Sequence, residues 1–185
     1  MQAQNLKTID DLMQFEGERV ELINGVIIKR PMARAEHALL QSSISDEIAI
    51  FKRKKGAGGW WIMSEISVRY SEHQCPCHDL AGWRKEFMPK RPTGVMEQRP
   101  DWVCEITSPG HERKDVFNNF MLLQRYKVPF YWLISPEDKT LIVYQFVDET
   151  YRVVFSIEYQ NESCSKNKIP PFETIDFDLG YIFGD

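Results

Sequence analysis

Apolar and polar positions along the chain change period several times, and each change marks an element. Thr8 followed by Asp11 is a capping box that starts a short helix with Ile9, Leu12 and Phe15 on one side. In "RVELINGVIIKR" two apolar runs flank Asn24-Gly25, the dipeptide whose turn twist suits a β-hairpin. From Arg34 to Lys55 the residues Leu40, Ile44, Ile48 and Phe51 recur at helical spacing, and Gly56 follows as a stop, which predicts one long amphipathic helix. After the Gly-rich break at 56–59, Ile62, Ile66, Val68 and Tyr70 alternate with Met63, Glu65, Ser67 and Arg69 at the period of a strand. A second strand is expected near Cys77 to Ala81. Lys85 to Pro100 holds Pro89, Pro92 and Pro100 and reads as a loop.

The run "DWVCEI" is apolar but for Asp101 and Glu105. Its Glu105 falls among Trp102, Val103, Cys104 and Ile106, where an unpaired charge is costly to desolvate. Either a cation meets it or it reaches the solvent edge. Asp115 to Lys127 carries Val116, Phe120 and Leu123 on one helical face and ends at Val128-Pro129. "FYWLIS" reads as a buried strand, "TLIVYQF" and "YRVVFSIEY" as the next two, and "IPPFETIDFDLGYIF" as a closing segment with an edge strand and a helical turn. The order predicts an α/β chain, a mixed sheet flanked by helices, with an N-terminal hairpin and C-terminal strands.

Length and composition narrow this further. With 185 residues, 43% of them hydrophobic and 12% aromatic, the chain is expected to fold as one domain spanning residues 1–185. Its net charge of −4 predicts no general grip on polyanions, while a local basic patch remains open. The N-terminus has no apolar leader and no stretch approaches a membrane span, so a cytoplasmic protein is expected. Four cysteines are too few for a disulfide scaffold, and reduced thiols are the expectation. His73, Cys75, Cys77 and His78 offer four soft ligands in six residues, a spacing too cramped for structural zinc.

The segments "VELINGVIIKRP", "EHALL", "CHDLAGWR", "PDWVCEITSP", "VPFYWLISP" and "PPFETIDFDLG" resemble, in that order, the Uma family (DUF820), whose name is "putative restriction endonuclease", within the PD-(D/E)XK nuclease superfamily. The likeness runs from about Glu18 to Leu179 and implies a restriction-endonuclease-like core. By the resemblance, Asp79 matches the aspartate of the family's Pro-Asp-Leu, Glu105 its strand-end glutamate, and Glu21 the glutamate of its hairpin, all meeting at one end of the sheet. Asp79 and Glu105, with the carbonyl of Ile106, would hold Mg²⁺ or Mn²⁺ for hydrolysis of phosphodiester bonds, with DNA as the implied nucleic-acid partner. Self-association fits such a fold without fixing a subunit number.

Three positions depart from the family pattern. His78 stands where it has Pro. Thr107 stands where the superfamily signature has Lys, and Asn119 stands where the family supplies that lysine from the following helix. Asn brings no positive charge to a water or phosphate. Lys114, at the helix start, is the candidate substitute. A catalytically inactive nuclease fold that binds nucleic acid or protein is therefore the competing expectation.

Simpler readings stand beside each residue. Asp79 suits a turn before Ala81-Gly82, Glu21 a cross-hairpin pair with Lys29, and Asp115 a helix N-terminal charge. His37 matches the family's Glu-His pair and is equally readable as structural. Lys52 to Lys55 suit a solvated helix end, and Trp60, Trp61 and Trp83 suit a core.

Overall fold

The computed structural model describes residues 6–32, 34–107, 112–160 and 166–184, with the backbone alone for 112–115. Helix α1 (Ile9–Met13) opens on the Thr8 and Asp11 capping box. Strands β1 (Val20–Ile23) and β2 (Val26–Lys29) form the expected hairpin, in which Asn24 and Gly25 both take positive φ, 50° and 74°. That is the turn whose twist matches paired strands.

The expected single helix is two. Helix α2 (Ala35–Glu47) ends at Ile48, whose backbone (φ −91°, ψ 7°) leaves the α region, and α3 (Ala49–Arg53) follows. The break lets Leu40, Ile44, Ile48 and Phe51 all stay in the core while the axis bends around it. Lys54 then turns to extended backbone, and its carbonyl accepts from the buried Lys85 ammonium at 2.7 Å.

Strands β3 (Trp60–Ser67), β4 (Cys77–Arg84), β5 (Trp102–Ile106), β6 (Phe130–Ser135), β7 (Thr140–Val147) and β8 (Thr150–Glu158) make one sheet in that spatial order. All neighbours are antiparallel except β5 and β6, which are parallel and joined by α4 (Glu112–Arg125). A parallel pair needs such a crossover. The mixed sheet flanked by helices is thus as predicted.

Both faces of the sheet are covered, which explains why its central strands read as nearly unbroken apolar runs. Trp102, Cys104 and Ile106 of β5 and Trp132 and Ile134 of β6 pack with α2, α3 and the C-terminal segment. Val103 and Tyr131 pack with Leu122 and Leu123 of α4 on the other face. Phe172 sits at the centre of the first layer, with the rings of Phe51, Trp60, Trp102 and Trp132 at centroid distances of 4.9 to 5.8 Å. The closing segment ends in β9 (Lys166–Asn167), β10 (Phe177–Asp178) and α5 (Leu179–Phe183). Trp60 and Trp83 are core residues, and Trp61 anchors its indole N–H on the Met88 carbonyl. Among the described residues no helix is long and apolar enough to cross a membrane.

The hairpin stands outside this sheet. A small cluster of Ile9, Leu22 and Cys75 and paired backbone bonds between Leu22 and Cys75 (3.1 and 2.7 Å) tie it to the loop before β4.

Candidate active site

The β4/β5 ladder pairs Gly82 with Trp102, Ala81 with Val103 and Leu80 with Cys104, and stops there. The next two residues are Asp79 and Glu105. Instead of meeting a backbone carbonyl, the buried amide of Ile106 donates to Asp79 Oδ2 at 2.8 Å. The strands open at this point, and a cavity of about 530 Å³ lies against the opening. Glu21, Asp79, Glu105, Ile106, Thr107 and Asn119 all line it. Lys114 belongs to α4, but its side chain, like that of Asp115, lies outside the described residues.

Asp79 is 6% exposed and lies within a strand, which replaces the turn reading. Its Oδ1 accepts from Arg30 Nη2 at 3.2 Å and lies 3.3 Å from His37 Nε2, while its carbonyl accepts from the Gln41 amide at 2.5 Å. The Asp79 hydrogen bond pushes the His37 pKa up despite burial. His37 Nδ1 is buried with no hydrogen-bond partner among the described residues. Glu21 pairs with Ile28 across the hairpin, so the expected partner Lys29 is out of register; Lys29 instead reaches Glu18 at 3.4 Å. The Oε2 of Glu21 accepts from the Cys77 amide at 3.2 Å, which ties the hairpin to β4 beside Asp79.

Glu105 is 12% exposed, and burial first, then the Asp79 charge, push its pKa well above the usual carboxylate range, opposed by Arg30. The imidazole of His78, fully buried and with its pKa pushed down by burial to about 4, lies 2.5 Å from Glu105 Oε1 through Nδ1. The Asp79 charge hinders ionisation of Glu105, and a carboxyl crowded in this way beside a second one is a donor set that a hard cation neutralises. The oxygens of Asp79, Glu105 and the Ile106 backbone therefore suit Mg²⁺ or Mn²⁺ chemically. The tightest set of ligand atoms among the described residues is a different one, His37, Glu65 and Asp79, which lie within 4.8 Å of one another.

Sequence reasoning missed Arg30 and Glu65. Arg30 is only 14% exposed and joins the hairpin to the sheet through Asp79, Glu65 and the Cys77 thiol, the last at 3.0 Å. Glu65 interrupts β3 with a φ of 49°, a backbone state unusual for a side-chain-bearing residue and often found at functional sites. Its carboxylate binds both Arg30 and Arg19. The one available signal was the Arg-Pro at the end of the hairpin, where a charge follows three apolar residues and Lys29. The soft-ligand stretch is dispersed: His73 contacts the Lys7 carbonyl, Cys75 joins the Ile9 cluster, and Cys77 meets Arg30.

A mixed sheet with α4 as crossover and acidic residues at an opened strand pair defines a nuclease-like architecture. The same fold occurs in a solved structure described as a "putative nuclease belonging to DUF820" from Anabaena variabilis, at a TM-score of 0.76 and 20% identity, covering 95% of this chain and 97% of that one. A model of the family Uma2, "Putative restriction endonuclease", matches residues 7–173, and the chain belongs to this family. No curated protein matches it.

Proposed function

We propose that this protein is a metal-dependent endonuclease hydrolysing phosphodiester bonds in DNA, with Mg²⁺ or Mn²⁺ held by Asp79, Glu105 and the Ile106 carbonyl. One observation carries the reading: the β4/β5 ladder ends where Asp79 replaces a backbone acceptor for Ile106, which sets two buried carboxyls and an open cavity side by side. Membership of the restriction endonuclease family and the shared fold support it. When bound, the ion supplies Lewis acidity toward a phosphoryl oxygen and lowers the pKa of a water.

The protein's own residues then have separable tasks. Arg30 and His37 orient Asp79 and bring positive charge near where a phosphate would lie. Glu21 presents a carboxylate to the same cavity from the hairpin. Arg125 lines the cavity from the end of α4 as a cation, while Asn119 lines it from the same helix as a neutral amide at the position where the family has lysine. That last feature also favours a second reading, a catalytically silent nuclease fold that binds nucleic acid or protein.

Purified protein with plasmid DNA and Mg²⁺ or Mn²⁺ separates the two. The enzyme reading expects cutting that is lost in Asp79→Ala and in Glu105→Ala. Retarded DNA in a gel shift without cleavage, together with no heat of Mn²⁺ binding, supports the silent module and removes the basis of the enzyme.

A further inference from the structure

His78 is unexplained by the carboxylates alone. Its ring is fully buried between two partners, with Nε2 2.9 Å from the Tyr70 hydroxyl and Nδ1 2.5 Å from Glu105 Oε1. Hydrogen bonding within such a chain has only a few consistent proton arrangements. If Glu105 were protonated and donated to Nδ1, the Nε2 proton would point at the Tyr70 oxygen, and the tyrosine's own proton would have no acceptor among the described residues. A doubly protonated ring strands the same proton and adds a charge at a fully buried side chain. In the remaining arrangement Tyr70 donates to Nε2 and Nδ1–H donates to Glu105 Oε1, which accepts whether or not Oε2 carries a proton, and every proton along the chain is used. Burial also disfavours tyrosinate, so Tyr70 stays a donor.

We infer that His78 is a positioning residue for Glu105: the Tyr70 hydroxyl fixes the ring as its Nδ1–H tautomer, and that N–H holds Glu105 Oε1 as an acceptor, which orients the carboxyl group at the cavity. An imidazole locked by one partner so that it can steer a ligand through the other is a recurring device around metal sites. Here the order is inverted, with the carboxylate at the cavity and the imidazole behind it. The consequence for ion binding rests on the proposed function; the tautomer does not.

Nitrogen-15 long-range correlation spectra of the metal-free protein read the ring directly. The expected result is a neutral His78 protonated at Nδ1, and an Nε2–H ring or an imidazolium overturns the inference. Two substitutions then test the consequence by calorimetry with Mn²⁺. His78→Asn places an amide donor near the position of Nδ1 and keeps the bond to Glu105, whereas His78→Gln places it near Nε2 and keeps only Tyr70. Mn²⁺ affinity should fall about 10- to 100-fold in His78→Gln and stay within a few-fold of wild type in His78→Asn. Equal affinities for wild type and His78→Gln, or equal losses in both variants, overturn the positioning role. If wild type binds no Mn²⁺, the metal reading fails, while the wild-type spectrum still decides the tautomer.

Discussion

Replacing Arg30 by Gln removes a guanidinium that touches Asp79 at 3.2 Å from a site only 14% and 6% exposed. At that separation and an effective dielectric near 20 the attraction is about 5 kcal/mol before desolvation is counted. Removing one partner of a buried pair costs about 3–5 kcal/mol. His37 and the Ile106 amide remain on Asp79, so the lower end, about 3 kcal/mol, is expected. In a chain of this size that corresponds to a melting point lower by roughly 6–12 °C in EDTA. Mn²⁺ at about 100 times the wild-type Kd adds about 2.7 kcal/mol to wild type, and more to a form that binds it more tightly. Losing a neighbouring cation strengthens that binding, so Mn²⁺ should raise the melting point of Arg30→Gln more than that of wild type. Scanning calorimetry with EDTA and with Mn²⁺ measures both. A shift under about 2 °C in EDTA refutes the ion-pair argument, and an equal Mn²⁺ effect in the two proteins refutes the charge compensation.

Phe172→Ala should lose about 3–5 kcal/mol in urea unfolding, because four aromatic rings surround the deleted one. Gly25→Ala forces a side chain into positive φ and brings its Cβ to 2.7 Å from Leu6; a loss of about 1–2 kcal/mol or more is expected by the same assay. Asn119→Lys should raise kcat on DNA about ten-fold or more, and no change in a protein that cuts means another group already meets the charge requirement. Gly82→Ala puts a methyl 3.1 Å from Trp60 and Trp102, so the urea midpoint should drop by an amount equivalent to about 1–3 kcal/mol.

Local signals in the sequence carried much of the fold. The Asn24-Gly25 turn and the Thr8 cap depend on neighbours a few residues apart, so their physics is visible in a short window. The helix break at Ile48 was hidden because all four apolar positions on either side stay buried, which keeps the period intact through the bend. Asp79 and Glu105 reached the same cavity as the family resemblance implied, yet their surroundings were not legible. Arg30, Glu65 and His37 are brought to Asp79 from positions 14 to 49 residues away in sequence, and no spacing rule anticipates such pairings. The alternation expected through β3 does not survive the left-handed Glu65: Ile62 packs with the layer of α2, whereas Ile66, Val68 and Tyr70 pack with Met63 in the layer of α4.

Glu21 and Arg30 reach the cavity from a two-stranded ribbon that contributes Leu22 alone to the buried cluster with Ile9 and Cys75. Such ribbons are marginally stable by themselves. Local opening of residues 20–30 therefore withdraws Glu21 and Arg30 from the cavity while the six-stranded scaffold, with Asp79 and Glu105, persists. Amide hydrogens of the ribbon should exchange faster than those of β5 and β6.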